Sequence, residues 1–342
     1  MKYKKVPTLI LSFICFFLVV IPARGAGLEW DIFDREAKEL YRAGKYDRAV
    51  LVAQKALEVA EENFGKEHPY VAVSLNNLAE LYRNRGDHFD SKKRGDYFKA
   101  KLLYRRALLI LENELGSNHP YVGLILNNLA ELYRNQGDYA DAKPLYRRAL
   151  AIFENAKTSN HYDVGLVLNN LALLYANQGD YVQAEPFYKR ALLILENELG
   201  SNHPYVGLTL NNLAELYREK GDYTQAEPLY KRALAIFQDP QPLIARSFPE
   251  FAMDIMKKNP NIHPSDLDRL WRLADGKYYY YQLGDKLRLK FNISFGGASI
   301  LIPEATAAIM DNLAALYRST KRIRKAKQLE QRAARIRAIA KN

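Results

Sequence analysis

The sequence predicts an all-α solenoid of stacked antiparallel helix pairs, and three observations carry that expectation. The segment NNLAELYRNQGDYADAKPLYRRALAIF at 127–153 recurs: NNLAELYRNRGD starts at Asn76, NNLALLYANQGDY at Asn169, NNLAELYREKGDY at Asn211, and a worn copy, DNLAALYRST, at Asp311. The starts at Asn127, Asn169 and Asn211 lie 42 residues apart, a fixed period of the kind stacked repeat architectures show. Within one copy Leu126, Leu129, Ala130 and Tyr133 follow helical spacing, Gly137 and Asp138 break it, and Ala142, Leu145, Tyr146, Ala149 and Leu150 resume it. Neither helix can bury its apolar stripe alone, so the copies must stack.

Each part of the copy has a physical reason. Gly137 gives the turn its backbone freedom and Asp138 caps the second helix. Pro144 is expected in the first turn of that helix, where a missing N–H costs little. Ala130, Ala142 and Ala149 permit close approach, and Tyr133, Tyr139 and Tyr146 fill the remaining space.

The order Leu, Ala, Tyr, Gly-Asp-Tyr, Ala, Tyr, Ala-Leu resembles a tetratricopeptide repeat. The leading Asn-Asn, the 42-residue spacing and the linker ENELGSNHPYVGL at 112–124 and 196–208 are similar to the kinesin light chain variety of that repeat. The resemblance covers roughly residues 30–239 and 307–342. It implies a superhelical solenoid whose first helices line a peptide-binding face, and it names no partner.

The chain opens with MKYKKVPTLILSFICFFLVVIPARGA, in which Lys2, Lys4 and Lys5 precede an apolar run and Ala23 and Gly25 sit where a signal peptidase cuts. Residues 1–25 are therefore expected to be a signal peptide and the chain to be exported to a periplasm or beyond the cell. Retention of the leader as an anchor is the alternative. The 342 residues hold 50 Lys and Arg against 39 Asp and Glu; losing Lys2, Lys4, Lys5 and Arg24 leaves 46 to 39, a net charge of +7. Cys15, inside the leader, is the only cysteine, which excludes disulfides, thiolate metal sites and a cysteine nucleophile from the remainder.

Along the chain, the array of about five repeats at 30–239 begins with a divergent copy lacking Asn-Asn; its start at Asp34 lies 42 residues before Asn76, so the register holds. The second copy carries nine extra residues in its turn, with HFDSKKR between Gly86-Asp87 and Gly95-Asp96-Tyr97. After Asp239 the period fails: the next repeat, due near residue 253, begins at Asp311, so about 58 residues are inserted. Residues 240–306 are expected to form a mixed α/β insertion before the last repeat. PEFAMDIMKK and SDLDRLWRLADG predict short helices, while LRLKFNISF at 287–295, Gly296-Gly297 and ASILIP predict a β-hairpin. YYYYQLGDKLRLKF resembles in part the opening of polysaccharide-export domains, without the separate glycine expected before its aspartate. Residues 307–342 form a divergent terminal repeat in which Lys321-Arg322-Ile323 replaces Gly-Asp-Tyr. KRIRKAKQLEQRAARIRAIAKN holds nine basic residues and one acid. Such a helix suits either a polar solenoid cap or docking on an anionic membrane surface.

On the first helix of a copy, Leu126, Ala130 and Tyr133 face the partner helix, which puts Asn127, Glu131, Arg134 and Asn135 on the opposite stripe with Asn128 at its margin. The equivalents are Asn76, Asn77, Glu80, Arg83 and Asn84; Asn169, Asn170, Leu173, Ala176 and Asn177; and Asn211, Asn212, Glu215, Arg218 and Glu219. A ladder of carboxamides can both donate to and accept from an extended peptide backbone. The resemblance implies that role for the asparagines. The alternative is that Asn-Asn links neighbouring repeats by hydrogen bonds. The charges along the stripe nearly cancel, so neither a strongly acidic nor a strongly basic peptide is expected, and Leu173 with Ala176 offers a shallow apolar dock.

His68, His119, His161 and His203 occupy equivalent linkers, a full period apart, and cannot converge on one metal ion. A helix start explains His119 and His203, which precede proline. No phosphate loop, zinc helix or serine elbow occurs, and the spacing of Asp266, Asp268 and Asp285 supports no catalysis. The expected protein is a non-enzymatic interaction scaffold with a protein or peptide partner, no cofactor, no metal, no nucleic acid and no small-molecule substrate. The alternatives are an envelope adaptor held to anionic membrane by the final helix, and a carrier for a functional insertion at 240–306.

Overall fold

The structure, a computed structural model, describes residues 29–41, 43–88, 94–156, 161–238, 292–295 and 298–341. They form α1 (29–41), α2 (Tyr46–Phe64), α3 (Pro69–His88), α4 (Arg94–Leu115), α5 (Pro120–Asn135), α6 (Tyr139–Asn155), α7 (His161–Asn177), α8 (Tyr181–Leu199), α9 (Pro204–Glu219) and α10 (Tyr223–Gln238). Then follow strands β1 (Asn292–Phe295) and β2 (Ala298–Leu301) and helices α11 (Ile302–Ser319) and α12 (Ile323–Lys341). The chain divides at Asp138–Tyr139 into two compact units.

In the first unit, α1 packs on α3 through Trp30, whose indole N–H donates to Ser74 Oγ at 2.6 Å. Asn77 donates to Asp34 Oδ1 at 2.7 Å, so Asp34 stands where later copies have their first asparagine. The tyrosine of each incoming first helix is held by the second helix before it: Gln54 donates to Tyr82 Oη at 2.9 Å and Arg105 to Tyr133 Oη at 3.0 Å. Second helices are tied to one another by Arg106 and Glu61 at 2.5 Å.

The second unit repeats these joints. Arg147 donates to Tyr175 Oη at 3.2 Å, Tyr217 donates to Glu185 at 3.0 Å, and Arg190 pairs with Glu154 at 2.7 Å. The last repeat stacks on α9 and α10 despite the intervening residues: Asn312 donates to Asn211 Oδ1 of α9 at 3.1 Å and Tyr317 to Glu227 Oε1 of α10 at 3.2 Å. Its turn keeps the bonding of the others with a lysine in the glycine's place. Lys321 adopts φ 60°, where Gly179 has 78°, and Arg322 N donates to Tyr317 O as Asp180 N does to Tyr175 O.

The repeated tyrosines Tyr146, Tyr188 and Tyr230 are fully buried, as are the alanines Ala142, Ala184 and Ala226. Close approach also explains a helical glycine. A methyl group on Gly207 would lie 2.6 Å from Phe237 Cε2 and 3.3 Å from Ile236 Cγ2. Although alanine favours helix by about 1 kcal/mol over glycine, Gly207→Ala is expected to destabilise the second unit by about 1–3 kcal/mol through overpacking. A lowered urea midpoint with an unchanged slope checks this.

Three expectations need amendment. Pro144, Pro186 and Pro228 sit at the sixth position of α6, α8 and α10, beyond the first turn, so each removes a helical hydrogen bond. The cost is limited because residues 140, 182 and 224, whose carbonyls lose the donor, are exposed to water. Gly86-Asp87 is not the turn of the second copy: α3 continues to His88 and α4 starts at Arg94. With extra residues available no tight turn is required, and Arg85 staples the two helices through Nε and Nη2 to Asp96, each at 2.7 Å. The mixed α/β insertion is not supported as a body of the fold. Among the described residues its β structure is one four-residue antiparallel ladder, Asn292↔Leu301 to Phe295↔Ala298, running straight into α11. The expected short helices and residues 287–291 lie outside the described residues, as do the leader and residues 89–93.

Candidate functional site

The asparagine pairs form rungs between successive first helices. In the first unit Asn128 Nδ2 donates to Asn76 Oδ1 at 2.9 Å, while Asn76 donates to Asn77 at 3.3 Å and Asn127 to Asn128 at 3.4 Å. In the second unit Asn212 donates to Asn169 at 3.2 Å, and the pairs Asn169–Asn170 and Asn211–Asn212 are bonded at 3.4 and 3.5 Å. The second amide of one copy thus reaches the first amide of the copy before it. These bonds are the links between neighbouring repeats that one of the two readings of Asn-Asn calls for.

The two units differ in how open this stripe is. In the first, Asn127 is 1 % exposed, Asn128 0 % and Arg83 1 %. Arg83 Nη1 pairs with Glu131 Oε2 at 2.6 Å, and Arg83 Nη2 donates to Asn84, whose own amide donates to Tyr41 Oη at 2.9 Å. Arg134 stands 3.7 Å from Glu131; Glu80 is half-buried and Asn135 exposed. In the second unit Asn169, Asn170, Leu173, Asn211, Asn212, Glu215 and Arg218 are all half-buried, and Asn177 is exposed. That stretch presents amide edges, one leucine and a guanidinium to solvent.

Family models described as tetratricopeptide repeat match residues 39–90, 89–155, 163–239 and 306–340. The chain is a tetratricopeptide repeat protein. No curated protein sequence matches it. Among solved structures it is similar to BtubC (BKLC) from P. vanneervenii, at 23% identity, TM-score 0.54, with 87% of this chain and 92% of that one covered. It is also similar to a single-residue variant of a putative kinesin light chain from Podosopora anserina with nearly identical repeats, at 23% identity, TM-score 0.50, covering 64% and 97%. A third is a Rap protein complexed with Competence and Sporulation Factor, at 14% identity, TM-score 0.54, covering 92% and 76%. These likenesses place the fold.

In this tetratricopeptide repeat protein the first helices of the second unit are braced by carboxylates held in hydrogen-bonded clusters. Tyr230 Oη donates to Glu215, which Arg218 also grips. Burial pushes the Glu215 carboxyl up, but bonds from Arg218 and Tyr230 leave it below the ordinary carboxylate range. Lys189, Lys220 and Tyr217 converge on Glu185 and hold it down to about 2. Burial works against Glu227, yet Lys231 and Arg322 bring it to about 2 as well. The spacing of Glu185 to Lys189 and Glu227 to Lys231, four residues on one helix face, was the available signal.

The linker histidines start helices. His68, His119 and His203 each accept through Nδ1 from the backbone N–H of Tyr70, Tyr121 and Tyr205. Burial lowers His203 from 6.5 to about 4. Folded, His203 therefore binds fewer protons than in the unfolded chain between those values, so its contribution to stability is full above pH 6.5 and falls as pH drops toward 4, by at most about 1.4 kcal/mol per unit. His203→Asn keeps an N-cap acceptor and removes the titration. Urea midpoints at about pH 7 and about pH 5.5 should diverge less in this variant than in the native chain.

Proposed function

We propose that the protein is a non-enzymatic scaffold that captures an extended peptide segment of a protein partner along the first helices of its second unit. The observation that carries this is the half-buried run from Asn169 to Arg218, in which amide edges flank Leu173. The rungs hold those amides at fixed spacing before any ligand arrives, which lowers the ordering cost of binding. Each carboxamide oxygen retains acceptor capacity beyond its rung bond, and Leu173 takes an apolar side chain between them. A Rap protein of the same fold is known in complex with Competence and Sporulation Factor, which agrees with a binding role for such an array. The N-terminal leader pattern supports capture outside the cytoplasm, in the envelope or beyond the cell.

The test is a peptide-library selection on the full-length protein, followed by titration of the best peptide. Leu173→Asp should weaken binding at least about tenfold, because a carboxylate in the dock leaves the partner's apolar group unpaired with protein. Helical content should be unchanged, since Leu173 is only half-buried. Equal affinity of variant and native chain would remove the second-unit stripe as the binding face.

A further inference from the structure

The last repeat departs from a pairing that three of the others show. In α4, α8 and α10 one arginine pairs with a glutamate of the second helix before it: Arg106 with Glu61, Arg190 with Glu154, Arg232 with Glu196. In the same register Arg332 of α12 corresponds to Arg232, and residue 238 of α10 corresponds to Glu196. Residue 238 is a glutamine. Among the described residues Arg332 has no ion pair.

Around Arg332 lies an open cleft of about 510 Å³ between α10, α11 and α12. Lys325, Arg332 and Arg335 rim it, and Leu313, Tyr317 and Leu329, each less than a tenth exposed, form its floor. No carboxylate lines it among the described residues. Lys231 also borders the cleft but is held by Glu227 at 2.8 Å, and Glu330, the only acid of α12, is taken by Arg318 at 2.7 Å. Arg335 likewise has no ion pair among the described residues.

We infer that this cleft docks an acidic peptide segment of a partner protein, with Arg332 as the receptor for a carboxylate. Charge decides the sign of the occupant: Lys325, Arg332 and Arg335 rim the cleft, and no carboxylate lines it among the described residues. Shape decides its class. A bilayer surface meets Arg332 and Arg335 but not the recessed floor, whereas a peptide places a carboxylate on the rim and an apolar side chain on Tyr317 and Leu329. A guanidinium grips a carboxylate through parallel N–H bonds, which fixes the peptide's register. The site is separate from the first-helix stripe of the second unit and does not depend on it.

The experiment uses the full chain and a fluorescent synthetic peptide alternating glutamate and leucine. Binding should weaken steeply with salt, and the glutamine-for-glutamate peptide should bind at least about tenfold more weakly. Arg332→Ala should also cost about tenfold. The decisive variant is Gln238→Glu, which restores the carboxylate that other repeats carry, removes no positive charge, and should weaken the peptide by a similar factor. Leu173→Asp should leave this binding unchanged, which separates the cleft from the stripe. Gln238→Glu binding as tightly as the native chain overturns the assignment, as does equal affinity for the uncharged peptide. Capture of phosphatidylserine vesicles without capture of the peptide, or no binding to either, also overturns it.

Discussion

Arg83→Met is expected to destabilise the first unit by about 3–5 kcal/mol, the usual cost of stranding one partner of a buried ion pair. Arg83 is 1 % exposed, lies 2.6 Å from Glu131 and also donates to Asn84. Methionine keeps the apolar stem, so the change removes the guanidinium with its charge and hydrogen bonds. It leaves the Glu131 carboxylate, itself mostly covered, with only the more distant Arg134 at 3.7 Å among the described residues. The double change Arg83→Met with Glu131→Gln removes both charges and should recover more than half of the loss. Hydrogen exchange in α3 and α5 reads this locally, which matters in a chain of two units. A double variant as unstable as the sum of the two single ones would mean that the pair does not couple.

What the sequence made legible follows from which interactions are local. Helix pairs, their starts at His119 and His203, the register of the divergent first copy and the return of the repeat at Asp311 all depend on spacing within one or two turns or on the 42-residue period. The burial of Asn127 and Arg83 was not legible. A stripe opposite the partner helix looks open when each helix is drawn alone, and it takes the neighbouring copy's offset to bring Asn128 onto Asn76 and Glu131 onto Arg83. The tyrosine joints escaped for the same reason: Gln54 and Tyr82 are 28 residues apart, and no pattern inside one helix relates them. Pro144 falls beyond the first turn because Tyr139 already opens α6. The stripe residues share a spacing that the sequence carries, while their accessibility depends on contacts between copies.

Asn128→Ala is expected to cost the first unit about 2–3 kcal/mol, because it leaves a buried acceptor on Asn76 and a buried donor on Asn127 without their bonds. Asn128 is 0 % exposed and its bond to Asn76 is 2.9 Å. The equivalent Asn212→Ala in the second unit should cost only about 1 kcal/mol, since a half-buried amide left single can turn to water. The difference between the two variants, read from hydrogen exchange in α5 and in α9, therefore measures burial rather than bond count. The divergent first copy says which half of each rung matters. At that rung Asp34 replaces asparagine and still accepts from Asn77 at 2.7 Å, so the upstream position needs an acceptor and no donor. Asn76→Asp should then cost less than Asn76→Ala, in spite of its added charge, because the carboxylate keeps the bond from Asn128. If the two are equally damaging, the rung is held by packing of the amide rather than by its acceptor. In that case Asp34 would be a feature of the divergent copy alone.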